Sequence, residues 1–115
     1  MAIQKFEDIL VWQKAQDFSV AIYSELKNSK DYSFNDQIKR ASISISNNIA
    51  EGFDRSSNPD FKRFLYFSLA SNSEVRSMLY LAIRLDFISE ISANKLIENS
   101  NEIARMLFGL IKSLK

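Results

Sequence analysis

The sequence predicts an all-α fold, an antiparallel up-and-down four-helix bundle occupying residues 1–115 as one domain. Three observations carry that expectation. Two glycines and one proline in 115 residues are too few for an all-β sandwich or barrel, which needs a turn every ~8–12 residues. Four segments repeat apolar residues at steps of three and four, the spacing that lines one face of a helix. Between them lie short polar stretches of Ser, Asn and Asp, the residues that cap helices and close turns. A chain of this length fills one core and not two.

In the first segment Val11, Ala15, Phe18, Ile22 and Leu26 share a helix face. The polar stretch Asn28 to Tyr32 reads as a loop. Ser33-Phe34-Asn35-Asp36 then has capping-box spacing, so Ser33 is the predicted N-cap of the second helix. That helix turns Ile38, Ala41, Ile45 and Ile49 inward. Within it Ala41-Ser42-Ile43-Ser44-Ile45-Ser46 alternates strictly, which is a strand signal. Helix is preferred because the helical spacing runs past both ends and no other segment offers a convincing partner strand.

Ser56-Ser57-Asn58-Pro59-Asp60 is the sharpest punctuation, with Asn58 suited to an N-cap and Pro59 to the first helical position. The third helix places Phe64, Leu65, Ser68, Asn72, Val75, Leu79 and Ala82 inside, and ends between Asp86 and Ser89. Ser89 caps a fourth helix whose inner row is Leu96, Ile103, Leu107, Leu110 and Leu114. Ala104, Phe108 and Ile111 form a second row beside it. Helices of roughly 20–28 residues joined by short loops make an antiparallel bundle, a rod on the order of 35 Å long.

The chain has no cysteine and no histidine. That excludes a disulfide framework, a thiol nucleophile, a Ser-His-Asp triad, the usual structural zinc sites and the Glu-x-x-His di-iron motif. Glu51 and Glu74 are the remaining acid/base or metal-binding pair, and no further convergent carboxylate or phosphate-cradling glycine supports them. No enzyme, metal or cofactor is expected. The charged start Lys5-Phe6-Glu7-Asp8 lacks the apolar core of a signal peptide. The longest apolar run, Met78 to Ile83, is six residues, against the ~20 that span a bilayer. A cytoplasmic protein without a membrane partner is expected.

Helix 2 carries a polar row, Arg40, Ser44, Asn47/Asn48, Glu51 and Arg55, which a hairpin turning near Ser57 sets beside Glu74 of helix 3. That register faces Arg40 with Glu74, Glu51 with Arg63, and Ser44 with Ala70. The row reads either as structural pairs that set helix register, since an unpaired charge at such an interface is costly, or as a ligand surface. Net charge is only +1, yet seven basic residues stand against four acidic ones from Gln37 to Arg84. Lys39, Arg40, Arg55, Lys62, Arg63 and Arg76 are therefore the candidate nucleic-acid contacts, because phosphates need only locally clustered cations. Apolar residues off the inner rows, Ile9, Trp12 and Tyr23 on helix 1 with Ala104 and Phe108 on helix 4, form the candidate interface of a homo-oligomer. The competing reading is a wide stripe that simply fills the core.

These stretches resemble the small four-helix-bundle proteins encoded in intervening sequences of bacterial 23S ribosomal RNA genes. The resemblance lies along residues 6–75, in Phe6-Glu7-Asp8-Ile9-Leu10-Val11-Trp12-Gln13-Lys14-Ala15, Asp36-Gln37-Ile38-Lys39-Arg40-Ala41-Ser42 and Ser44-Ile45-Ser46-Asn47-Asn48-Ile49-Ala50-Glu51-Gly52 with Arg55, and in a weaker match from Phe64 to Glu74. Ser46 stands where the family usually has proline, and Ala70 where it usually has glycine; both are compatible with helix. The resemblance implies a bundle that assembles into a ring, typically a homopentamer. It also brings in similar pentameric bundles that serve diversity-generating retroelements, where a basic surface engages nucleic acid and a reverse transcriptase. The family's polar positions fall on Gln37, Arg40, Asn48, Glu51, Arg55, Ser71 and Glu74. The expectation is a non-enzymatic ring-forming bundle that binds RNA weakly through helices 2 and 3, the alternative being a homo-oligomeric protein-interaction scaffold without nucleic-acid affinity.

Overall fold

A computed structural model describes residues 3–115. A single 3-10 turn at Phe6–Asp8 leads into four helices: α1 (Leu10–Glu25), α2 (Tyr32–Phe53), α3 (Asn58–Arg84) and α4 (Glu90–Ser113). Each helix packs on two neighbours, α1 on α2 and α4, and α3 on α2 and α4, which is up-and-down bundle topology. The most extensive of these interfaces joins α2 to α3. The molecule measures 44 × 21 × 19 Å. The first helix, at 16 residues, is shorter than the roughly 20–28 expected of each helix, because the chain turns out of helix at Leu26.

The apolar rows fall inside as their spacing requires. Val11, Ala15, Phe18, Ile22 and Leu26 meet Ile38, Ala41, Ile45 and Ile49 from α2, Leu65, Val75, Leu79 and Ala82 from α3, and Leu96, Ile103 and Leu107 from α4. Leu110 and Leu114 are only partly buried. The strictly alternating segment is helical. Ser42 and Ser46 point inward, where their hydroxyls donate back to the carbonyls of Lys39 and Ile43 at 2.9 and 3.4 Å. Such back-bonding lets a buried serine satisfy itself without leaving the helix.

Two caps differ from expectation by one or two residues. Asp31, not Ser33, caps α2, its Oδ1 accepting from the Phe34 amide at 3.0 Å. Ser57, not Asn58, caps α3 by accepting from the Asp60 amide at 3.3 Å. Pro59 thereby moves from the first helical position to the second, still within the turn where no intrahelical N–H partner is lost. Ser89 caps α4 as predicted, with its Oγ 3.2 Å from the Ser92 amide. At the far end of α3, Asp86 takes a positive φ of 59°. The Phe87 and Asp86 amides reach back to Ala82 and Ile83 at 2.9 and 3.1 Å, the two bonds of a Schellman closure.

Gly52 lies where α2 and α3 come together. A Cβ at this position would sit 2.6 Å from the Phe64 Cβ and 3.0 Å from the Phe61 ring. Gly109, by contrast, has open space around it. Gly52→Ala is therefore expected to cost about 1–3 kcal/mol through overpacking. Gly109→Ala should instead gain about 0.5–1 kcal/mol by removing a flexible residue from a helix. Urea denaturation of both variants checks this; equal effects of the same sign would refute the close approach at Gly52.

Candidate functional site

The polar row of α2 meets α3 through hydrogen bonds, neutral at Ser44 and to a carboxylate at Gln37. Ser71 Oγ donates to Ser44 Oγ at 2.9 Å, and Asn48 Nδ2 donates to both the carbonyl and the hydroxyl of Ser44, each at 2.9 Å. Deeper in the seam the buried Ser68 hydroxyl donates to the Ile45 carbonyl at 2.8 Å. Towards the α1–α2 turn, Gln37 Nε2 donates to Glu74 Oε2 at 3.2 Å. The predicted register thus holds to within one residue at Ser44, which meets Ser71 rather than Ala70.

The predicted ion pairs across the seam do not form. Arg40 Nε bonds Asp36 at 2.9 Å, one turn back on its own helix, instead of reaching Glu74. Arg63 bonds Asp60 at 2.8 and 3.0 Å instead of Glu51. An acid three or four residues away already lies beneath the guanidinium, so the local pair forms without drawing a long side chain across to another helix. Glu51 stays exposed.

The six candidate cations do not share one face. Lys39 leans toward α1, its Nζ 4.7 Å from the centre of the Tyr23 ring. Arg76 turns the other way, toward α4, with Nη1 3.2 Å from Ser100 Oγ. Lys62 stands 14 residues before Arg76, close to four whole turns, and so lies on that same flank of α3. Arg55 and Arg63 gather at the α2–α3 turn, where both approach Asp60. Arg40 stands alone with Asp36 on the outer edge of α2. The concentration of positive charge along the sequence is thus spread around the bundle.

The candidate oligomer row divides as well. Ile9 is 3% exposed and belongs to the core, so it offers nothing to a partner. Trp12 is half-buried against that core and meets the Phe6 ring edge-on at 5.3 Å. Tyr23 is exposed and borders a shallow apolar groove between α1 and α2, together with Val20 and Ile43. Phe108 is exposed on α4, and Ala104 is half-buried one turn before it. These two follow Ser100, which faces α3, so Tyr23 and Phe108 do not share a side of the molecule.

Asn72 lies inside as its spacing predicts, but its buried partner Ser100 was not predicted. Asn72 Nδ2 donates to the Ser100 carbonyl at 2.9 Å, and Ser100 Oγ donates to Asn72 Oδ1 at 3.0 Å, with both residues fully buried. Ser100 interrupts the inner row of α4 between Leu96 and Ile103. A polar residue at a core position is the signal that would have found it. Among the described residues no group of three or more acidic side chains is arranged to hold a metal, and none of their helices is long and apolar enough to cross a membrane.

The sequence model of the family described as 23S rRNA-intervening sequence protein matches residues 7–109. Among solved structures, a crystal structure of a protein of unknown function from the S23 ribosomal protein family of Bacteroides thetaiotaomicron VPI-5482 is 30% identical. It covers 90% of this chain and 100% of that chain, with a TM-score of 0.84. No curated protein matches the chain.

The buried cluster and the exposed pairs should respond differently to truncation. Asn72→Ala is expected to cost about 1–3 kcal/mol, since it removes the acceptor of the Ser100 hydroxyl and the side-chain donor to the Ser100 carbonyl in the core. Gln37→Ala, at an exposed bond, should stay within about 0.5 kcal/mol. A double-mutant cycle of Asn72→Ala with Ser100→Ala, read by urea unfolding, should return a coupling energy; strict additivity would refute the pairing.

Proposed function

The chain belongs to the 23S rRNA-intervening sequence protein family, and we propose that it is a non-enzymatic helical bundle whose work is to associate with copies of itself. The observation that supports this reading is exposed apolar surface on two separate sides of the molecule. Val20, Tyr23 and Ile43 flank the α1–α2 groove, with Val20 69% exposed, and Phe108 stands 56% exposed on α4. Solvated apolar surface of this kind favours a protein contact. Two unlike faces suit head-to-tail association, which closes into a ring when the rotation between neighbours permits, whereas a two-fold dimer uses a single face twice. Five copies is the number that the family resemblance implies.

RNA binding is the second reading, favoured by the seven basic residues against four acidic ones from Gln37 to Arg84. Its footprint is narrower than six cations. Arg40 is held by Asp36 and Arg76 is directed into the α3–α4 seam, so neither lies beside the Arg55 and Arg63 pair.

Sedimentation velocity over a range of concentrations tests self-association. The wild type should reach a discrete oligomer, while Val20→Asp and Phe108→Asp should each remain monomeric. An equimolar mixture of the two variants should form a heterodimer, because one intact face survives on each. A wild type that stays monomeric at every concentration sinks the proposal, and a mixture that stays monomeric sinks the head-to-tail arrangement.

A further inference from the structure

Where α2 hands over to α3, two guanidiniums share one carboxylate. Asp60 Oδ1 accepts from Arg63 Nε and Nη2 at 3.0 and 2.8 Å, and its Oδ2 stands 3.7 Å from Arg55 Nε. Within this trio two cations meet one anion, leaving one positive charge, against which Glu51 and Asp54 stand at the end of α2. Hydrogen-bond donors are in surplus as well. Each guanidinium presents five N–H groups in a planar fork, and only Arg63 spends any of its own on Asp60 within hydrogen-bonding distance. The Arg55 and Arg63 side chains remain 48% and 55% exposed.

Neither arginine is a free surface side chain. The Arg55 guanidinium carbon lies 4.6 Å from the centre of the Phe64 ring, and that of Arg63 lies 5.0 Å from Phe64 and 5.4 Å from Phe67. Stacking on aromatic faces suits a planar, weakly hydrated cation. Phe64 is itself fixed, being buried and pressed against Gly52. It meets Phe67 edge-on at 5.5 Å. The forks are thus held in place before any ligand arrives, which lowers the ordering cost of binding. Phe67 remains 44% exposed beside them.

Preorganised guanidinium forks match the geometry of phosphate oxygens, and an open aromatic ring beside them offers a platform for an unpaired base. We propose that Arg55 and Arg63 grip a backbone phosphate of a single-stranded nucleic acid while Phe67 stacks an adjacent base. Asp60 is the internal anion with which that phosphate competes for the two arginines. A duplex keeps its bases paired and leaves Phe67 unused; an acidic peptide satisfies the arginines but has no base to stack. The inference rests on the RNA reading above and narrows it to one end of the α2–α3 hairpin, in which Lys39 takes no part.

The test is fluorescence anisotropy of a labelled oligouridylate against the full chain, at several salt concentrations, with a thermal melt of every variant. Arg55→Gln and Arg63→Gln should each weaken binding about tenfold, and together they should lower the salt slope by about 0.7, the share of the one phosphate they hold. Phe67→Ala should weaken binding roughly five- to tenfold while leaving the slope unchanged. Asp60→Asn should tighten binding several-fold, an outcome that damage to the fold cannot imitate. Lys39→Gln should change little. If Asp60→Asn has no effect and Lys39→Gln weakens binding as much as Arg63→Gln, this site is wrong while the wider RNA reading stands. No binding by the wild type at low salt overturns both. Tighter binding of an oligoglutamate peptide, with Phe67→Ala indifferent, would assign the pair to acidic peptides and defeat the proposal.

Discussion

Helices α2 and α3 approach closely enough for a hydroxyl of one to reach the backbone of the other, as Ser68 does with the Ile45 carbonyl at 2.8 Å. Ser44 and Ser71 meet at 2.9 Å along the same seam, and Gly52 closes it with no room for a Cβ beside Phe64. Each such hydrogen bond contributes only about 1 kcal/mol net. Their stronger effect is on register, because a shift of one residue would break these contacts and leave the buried Ser68 hydroxyl without the Ile45 carbonyl. The apolar rows alone tolerate sliding; the serines do not.

The opposite flank of α3 is held by the same kind of chemistry. Asn72, one turn beyond Ser68, exchanges two hydrogen bonds with Ser100 on α4. Helix α3 is thereby tied to a neighbour on each side by buried neutral groups, and its position sets what the surface can present. Phe64 sits where it does because Gly52 admits it, and the guanidiniums of Arg55 and Arg63 sit where they do because Phe64 supports them. The side chains that α3 offers to solvent at its first two turns therefore inherit their placement from the seam behind them.

Much of this was legible in the residues. The inner rows of α1, α2 and α3, and of α4 as far as Leu107, followed from a spacing of three and four, since burial on one helix face depends chiefly on period. Ser89 was legible as a cap because it stands alone before the fourth apolar row. At α2 and α3 several neighbouring Asp, Ser and Asn residues compete for the capping position, and only the backbone path decides between Asp31 and Ser33 or between Ser57 and Asn58. The register of the α2–α3 hairpin came within one residue, yet its ion pairs did not. Opposite charges facing each other across the seam do not outweigh an acid one turn away on the same helix.

The sequence by itself determined a helical bundle, its inner rows, its lack of cysteine and histidine chemistry, and its excess of cations between Gln37 and Arg84. These depend on composition and on local period, which a linear chain already contains. Tertiary structure decided which cations stand together. Lys39, Arg76 and the Arg55–Arg63 pair are close relatives in the sequence and face different ways in space. It also decided that Ile9 is core and Val20 is surface. The physical reason is common to both: an exposed side chain takes its direction from helix rotation and its partner from whatever the neighbouring helix brings within reach, and neither quantity is local in the chain.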